Sequence, residues 1–476
     1  MTVSTEVHLL DTPLPSPSLL NLLSNHLPHS LPVLRRLQYA ANFSSDSDNN
    51  APGTTPYSHV LYASKYSVEE CLGLSKTAAT PSSAFTSTCT QPQEKQQQQQ
   101  QQQQNKNGNG NGNENGNGNA DANGSKPRKG KKEGRKHFAA AFVDLSRFPE
   151  TQAWVYSTLE DHCFFDPGVG TGTTMDGSTT STTSMTTTSE EVFGSQSQSH
   201  SLLPEEEAQE CDELMLVLLR RMRTIALQMP LVLEGSASEQ RQKNWTEARE
   251  YLLMNAAGNK NEGPGPKVMI GSLAEIHRHR LFLLDPKGGR VHMHKTANIP
   301  EEIEWEVCQK WLFRTEALVS SSSSSSSEKE EEGQLGTTLE KEKGLVWDRV
   351  RTKEDVRLVQ SRTSIKRQED TLLGLPSVAV RDGEGGRMVA WGFMAFDGTL
   401  MTLHVEEQYR GKGLAKAVAC KVMRDHVKDY GDDGWGAADV FLENYRSQGV
   451  CKSIGGRVGW LLSWAVVDLA TVGDAL

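Results

Sequence analysis

The sequence predicts a mixed α/β fold interrupted by long low-complexity insertions. Three observations carry that expectation. Short apolar runs with strand patterning alternate with segments whose apolar residues follow helical spacing. From residue 344 to the end the composition is globular and the order reads strand, helix, strands, glycine-rich turn, helix. Upstream, three polar tracts read as loops or linkers inserted between pieces with fold-like patterning.

The tracts come first. Residues 77–136 contain the glutamine run 96–104 and Asn-Gly repeats over 105–119. Residues 168–200 are rich in Thr, Ser and Gly, and the serine run 320–327 leads into the glutamates 328–332. None can bury enough apolar area to offset its ordering entropy. The expected organisation follows. Residues 1–76, 137–167 and 208–319 form one α/β domain. Residues 77–136, 168–207 and 320–343 are disordered insertions, and 344–476 form a second domain that carries the chemistry.

Composition bounds the function. The net charge of -10 excludes a global attraction to nucleic acid, so no specific nucleic-acid partner is expected. The seven cysteines are scattered, without a CxxC or CxxH pair, which argues against a zinc site and a disulfide framework. No metal is expected. Free cysteines fit a reducing compartment. The first 20 residues lack a basic region and are broken by Pro13, Pro15 and Pro17, unlike a signal peptide. No window approaches the ~18 apolar residues of a membrane helix. An intracellular, cytoplasmic protein is expected. The basic run 126–136 reads either as a solvated linker end or as a nuclear localisation signal, which keeps the nucleus as the alternative.

In the first half, residues 59–62, 139–148 and 153–159 read as short strands, with Phe142, Val143 and Leu145 as candidates for burial. Leu214, Leu216, Val217, Leu218 and Met222 give 209–229 a helical face. Residues 268–270 read as a strand that turns into a helix after Gly271-Ser272. Residues 300–318 read as a helix, with Pro300 at its start and two acids in the first turn.

In the second half, 346–359 reads as a strand turning into a helix, with Thr352 as N-cap ahead of Glu354 and Asp355. Residues 377–380 and 388–396 read as strands joined by a turn containing Asp382-Gly383 and Gly385-Gly386. A strand over 399–405 leads into Arg410-Gly411-Lys412-Gly413, and a helix runs from Leu414 to 427. A glycine-rich turn between strand and helix presents unpaired N–H groups and a partial positive charge. Gly411 and Gly413 let backbone approach a phosphate, and Arg410 and Lys412 add charge. The site suits a pyrophosphate.

The stretch from Leu403 through Arg410-Gly411-Lys412-Gly413-Leu414-Ala415 resembles the acyl-CoA signature of the GNAT superfamily of N-acetyltransferases: Arg or Gln, two residues, Gly, one residue, then Gly or Ala. Arg410, Gly413 and Ala415 match it. Glu443-Asn444-Tyr445-Arg446-Ser447, ending in Ile454-Gly455-Gly456, is similar to that superfamily's next strand-helix unit. The pairing of the two resembles the glycine N-acyltransferase-like branch. The resemblance covers about residues 344–469, with the first half as a divergent N-terminal portion.

It implies a GNAT fold, a mixed splayed sheet flanked by helices, and transfer of an acyl group from acetyl-CoA or another acyl-CoA to an amine. The acceptor is a small molecule or amino acid. A protein lysine or N-terminus, or a non-catalytic CoA-binding module, are the alternatives. It also implies that backbone near Leu403 and Val405 holds the pantetheine and polarises the thioester, that residues 410–415 hold the pyrophosphate, and that Asn444 lies by the coenzyme. Attack is direct, so a base must take a proton from the ammonium and an acid can serve the leaving thiolate. Asp397 lies where the superfamily often places a carboxylate base, and it also reads as a turn residue before Gly398. His404 and Glu406 share a strand face and are alternatives. Glycine N-acyltransferases carry a glutamate where this chain has Thr399. Many members have a tyrosine acid where this chain has Cys451, which reads equally as an acid or as a buried filler. Tyr445 and Ser447 are nearby hydroxyls. Trp460 and Trp464 read as sheet core or as pocket lining. The sequence leaves the oligomeric state open.

Overall fold

The computed structural model describes residues 6–43, 54–55, 57–73, 135–147, 150–163, 203–229, 242–243, 245–247, 266–281, 291–294, 307–320, 344–365, 367–431 and 433–473. The three low-complexity tracts and most of the basic run lie outside them. Thirteen described strands form one sheet.

In the first half the elements are β1 (His8–Thr12), α1 (Pro17–Ser24), α2 (Leu31–Phe43), β2 (Ser58–Ser64), α3 (Val68–Cys71), β3 (Phe138–Asp144), β4 (Ala153–Ser157), α4 (Glu205–Gln228), β5 (Lys267–Ala274), α5 (Glu275–Leu281), β6 (His292–His294), β7 (Cys308–Arg314) and α6 (Thr315–Ser320). The second half adds β8 (Leu345–Asp348), α7 (Lys353–Gln360), α8 (Glu369–Gly374), β9 (Ser377–Asp382), β10 (Met388–Met394), β11 (Thr399–Val405), α9 (Leu414–His426), β12 (Trp435–Phe441), α10 (Tyr445–Ser453) and β13 (Arg457–Asp468).

Local chemistry accounts for several boundaries. Thr352 caps α7 in a reciprocal box: its hydroxyl accepts from the Asp355 N–H and the Asp355 carboxylate accepts from the Thr352 N–H, each at 3.1 Å. Arg381 on β9 binds Asp348 and Asp355, tying the start of α7 to the sheet. The long helix α4 buries Leu214, Leu218 and Met222 against the first-half sheet, in the same core as Ala141 and Val143.

Two halves repeat one plan. In the first, β1 to β4 are sequentially antiparallel and β4 pairs parallel with β5 through only Ala153↔Ile270 and Trp154↔Gly271. In the second, β8 to β11 are sequentially antiparallel and β11 pairs parallel with β12 through only Thr399↔Ala437 and Leu400↔Ala438. A helix follows the fourth strand in each, α4 or α9. Each half therefore opens a wedge between two diverging parallel strands. The first half is a second copy of the same splayed-sheet plan.

The last strand of each half is exchanged. β7, which follows the first-half strands in sequence, pairs antiparallel with β12 over Cys308–Arg314. β13, which follows β12, pairs with β5, and β7 and β13 pair with each other at the centre. The boundary expected at residue 343 thus separates segments in sequence but not strands in the sheet.

Two element assignments differ from expectation. The described part of the helix expected over 300–318 is strand β7 through Arg314, and only α6 is helical. β7 lies between two strands, and its alternating faces bury Cys308, Lys310 and Leu312 on one side and Trp311 and Phe313 on the other, an environment that overrides local helical spacing. Residues 300–306 lie outside the described set. The strand expected at 268–270 continues through Gly271 and Ser272 to Ala274. Ser272 has φ 55° and the pairing with β13 shifts there, so the expected helix start is a β-bulge.

Candidate active site

The second-half wedge is built by β11, β12 and a distortion in β11. Opposite Trp391 and Phe393 of β10 the register shifts, and Thr402 has φ 53°. The extra β11 residue is a bulge, which bends the strand away from β12 and re-aims its backbone. Beyond Leu400 the β12-facing edge of β11 has no strand partner among the described residues. That edge is where a linear ligand can lie and take strand-like hydrogen bonds.

β11 leads directly into the glycine-rich loop. Gly411 and Gly413 have φ 73° and 81°, and an added Cβ at either would meet open space. Gly413 is the N-cap of α9 and offers no side chain to its N–H groups. They are available to a phosphate. The Arg410 Nε donates to the Val405 carbonyl at 3.0 Å, and Lys412 Nζ donates to the Gln408 carbonyl at 3.0 Å. Tyr409 donates to Asp382 at 2.7 Å, anchoring the loop to β9. Residues 410–413 are exposed and Leu414 is buried.

The inner end of the wedge opens into a cavity of about 350 Å³. β11 contributes Thr399 and Leu403, β12 contributes Asp439 and Phe441, and α10 contributes Cys451. Asn444 also lines it, with its side-chain oxygen capping α10 through the Ser447 N–H at 3.1 Å. The first half closes the opposite wall with Trp154, Thr151, Arg147 and Glu150. Trp154 Nε1 donates to the Asp397 carboxylate at 3.0 Å, and the Thr399 N–H donates to its other oxygen at 3.1 Å. Glu150 accepts from the Gln368 N–H at 2.9 Å and the Thr371 hydroxyl at 2.8 Å, fastening the start of α8 across the cavity. The Arg147 guanidinium pairs with Glu150 and lies over the Phe396 ring, 4.1 Å from its centroid.

The candidate side chains separate by position. Asp397, Asn444, Leu403 and Cys451 meet at the cavity. His404 is not among its lining residues. The imidazole stacks on Trp391 at 4.7 Å, and burial lowers its pKa below the ordinary histidine value, partly opposed by Glu406. Glu406 is held by Arg362 at 3.1 Å. Burial pushes the Cys451 thiol up to about 12. A free thiol titrates near 8.5, so transfer of the Cys451 proton to a thiolate of that basicity runs uphill. Tyr445 is exposed, away from the lining. Of the two tryptophans, Trp464 lines the cavity and Trp460 is buried in a core with Leu31 and Leu462.

The sequence reading named no role for Asp439. It lies on the wedge strand, lines the cavity and is buried beside Lys310 Nζ at 2.6 Å. Burial raises its pKa to about 6, with Lys310 opposing and Asp397 adding to the rise. Alternation along 435–441 places it on one face of a strand, but its partner sits on β7, far away in sequence.

The first-half wedge is chemically different. Its helix α4 follows the N-cap Pro204 and has Glu205, Glu206 and Glu207 in the first turn. Three carboxylates at that end oppose a pyrophosphate. Buried Glu160 and His277 bridge the strands' far ends at 3.1 Å. Only the second-half wedge joins a glycine-rich helix start to a cavity among the described residues.

The model of the acyl-CoA N-acyltransferase verG N-terminal domain matches residues 4–299, more than half of the chain. The chain belongs to this family. The model of FR47-like proteins, of GNAT type, matches residues 377–465, which hold β9 to β12, the loop and most of β13. No curated protein matches the chain. Solved structures with partial likeness include a Drosophila protein, 14% identical with TM-score 0.29, over 42% of this chain and 60% of its own length. A putative GNAT-family acetyltransferase from Novosphingobium aromaticivorans is 12% identical with TM-score 0.26, over 44% of this chain and 75% of its own. A GCN5-related N-acetyltransferase from Kribbella flavida is 11% identical with TM-score 0.23, over 34% of this chain and 58% of its own.

Among the described residues no group of three or more His, Cys, Asp or Glu is placed to hold a metal ion. No described helix is long and apolar enough to cross a membrane.

Proposed function

We propose that the protein moves an acyl group, acetyl or longer, from acyl-CoA to the nitrogen of a small-molecule amine. One observation carries this: the diverging strands β11 and β12 join a glycine-rich helix start at one end to a cavity walled by both halves at the other. The donor's pyrophosphate sits on the Gly411–Gly413 backbone and the first turn of α9, with Arg410 and Lys412 adding charge. Its pantetheine lies along the unpaired edge of β11, where backbone near Leu403 and Val405 holds it and polarises the thioester carbonyl. Asn444 borders the reacting end.

The acceptor enters from the wall formed by Trp154, Thr151 and Glu150. A cavity of about 350 Å³ fits a small molecule. Asp397, clasped by Trp154 and the Thr399 N–H, presents a fixed negative charge to the incoming ammonium. Fixing both reactants in the wedge converts a bimolecular attack into an oriented one. Cys451 is a wall of the cavity, since its raised pKa makes it a poor proton donor to the thiolate.

The test is thiol release by the full chain from acetyl-CoA and longer acyl-CoAs with a panel of amines, with the acylated product identified by mass. Turnover above acyl-CoA hydrolysis with at least one amine is expected. Release that no amine stimulates would exclude the reading.

A further inference from the structure

Asp439 is the one carboxylate of the wedge strand β12 among the described residues, and its side chain is buried. It lines the cavity, its side chain is 3% exposed, and its Oδ2 has no hydrogen-bond partner among the described residues. Its Oδ1 is ion-paired at 2.6 Å with Lys310 Nζ, whose side chain is 0% exposed. The two are directly opposite across β12 and β7. A buried ion pair is costly, and well-packed apolar residues often replace one without loss of stability. A carboxylate held by one lysine, with its second oxygen unbonded at an acceptor cavity, has instead the properties of a group that takes a proton from a bound ammonium.

We propose that Asp439 is the catalytic base for the acceptor amine and that Lys310, carried in on the exchanged strand β7, is its positioning residue. This rests on the acyl-transfer reading above. The Asp439 carboxylate takes one proton from the acceptor ammonium. The freed nitrogen lone pair forms the C–N bond at the thioester carbonyl, the C–S bond breaks with its electron pair on sulfur, and the nitrogen's second proton passes to that sulfur. The protonated Asp439 returns its proton to solvent. Amide and free thiol leave, with no further reactant.

The charged and titratable groups acting on Asp439 are Lys310 from β7 and Asp397 from the turn before β11, and Asp439 in turn raises the Cys451 thiol of α10. Lys310 favours the ionised carboxylate, while burial and Asp397 favour the protonated one. The pKa of about 6 leaves most of the carboxylate ionised at pH 7 and near the optimum for a base working there. The rate should therefore fall as pH drops through that value. Removing Lys310 raises the pKa, and the acidic limb moves to higher pH.

The experiment compares the full chain with Asp439→Asn, Asp439→Glu, Lys310→Met, Lys310→Arg and the double variant Asp439→Asn/Lys310→Met. It uses acetyl-CoA and an amine that the wild type acetylates. Asp439→Asn should lose roughly a hundredfold to ten-thousandfold in kcat, with acetyl-CoA affinity by calorimetry unchanged. Asp439→Glu should restore part of it. Lys310→Met should shift the acidic limb of kcat/KM upward, and Lys310→Arg should leave it in place. The double variant, which leaves no unpaired buried charge, separates failure of chemistry from failure of folding: it should bind acetyl-CoA and not turn over. Wild-type kcat in Asp439→Asn or in the double variant, or an unmoved acidic limb in Lys310→Met, would overturn the assignment alone. A wild type that acetylates no amine overturns the acyl-transfer reading and the base together.

Discussion

At the scale of residues, the Trp154 to Asp397 hydrogen bond joins the halves at the point where the acceptor must arrive. A hydrogen bond to a charged group is worth about 1.5–3 kcal/mol. Trp154→Phe should therefore lower kcat/KM for the amine roughly tenfold to a hundredfold, while the acetyl-CoA Kd from calorimetry stays the same. A matching loss of acetyl-CoA affinity would place Trp154 on the donor side instead. Cys451→Ala should leave kcat at saturating acyl-CoA unchanged, because a thiol raised to about 12 does not supply the leaving-group proton. A large drop in kcat at saturating donor would return the acid role to Cys451. The neighbourhood of Asp397, Leu403, Asn444 and Cys451, which all line the cavity, was legible in sequence because each lies next to a local signal, the strand, the loop or the strand-helix unit. Asp439 was not legible as a functional group. Its significance depends on Lys310, which sits on a strand the local pattern disguised as a helix.

At the scale of elements, the loop and the bulge define the donor site. Gly413 has φ 81°. An L-residue in that region costs roughly 1–2 kcal/mol. Gly413→Ala should weaken acetyl-CoA binding about fivefold to thirtyfold in calorimetric titration, and an unchanged Kd would remove the loop from the site. Thr352→Ala breaks the capping box of α7 and should cost about 0.5–2 kcal/mol in denaturant unfolding with KM unaffected. The limits of β11 and the start of α9 were legible because strand alternation, paired glycines and helical spacing meet there without competition. The bulges at Thr402 and Ser272 were not, since positive φ at a non-glycine is set by the neighbouring strand and not by the residue itself.

At the scale of the whole molecule, exchange of β7 and β13 makes the halves interdependent. Arg35 on α2 adds to this by donating to the Val427 carbonyl at 2.8 Å and the Trp435 carbonyl at 2.7 Å. A fragment of residues 344–476 lacks β7, so β12 and β13 lose the strand between them. It should fail to unfold cooperatively or to bind acetyl-CoA alone. Co-expression with residues 1–343 should recover both. Cooperative unfolding of the lone fragment would show that β7 is dispensable. The sequence marked an α/β first half and a signature-bearing second half, but the repeated plan and its exchanged strands arise from long-range pairing that local patterns do not show.

Amide hydrogen exchange of the full chain with and without acetyl-CoA tests the location of the donor site most directly. Protection should appear in peptides covering β11, the Arg410–Ala415 loop and the end of β12 through Asn444. Protection confined to β4 and the start of α4, or none at saturating acetyl-CoA, would contradict it.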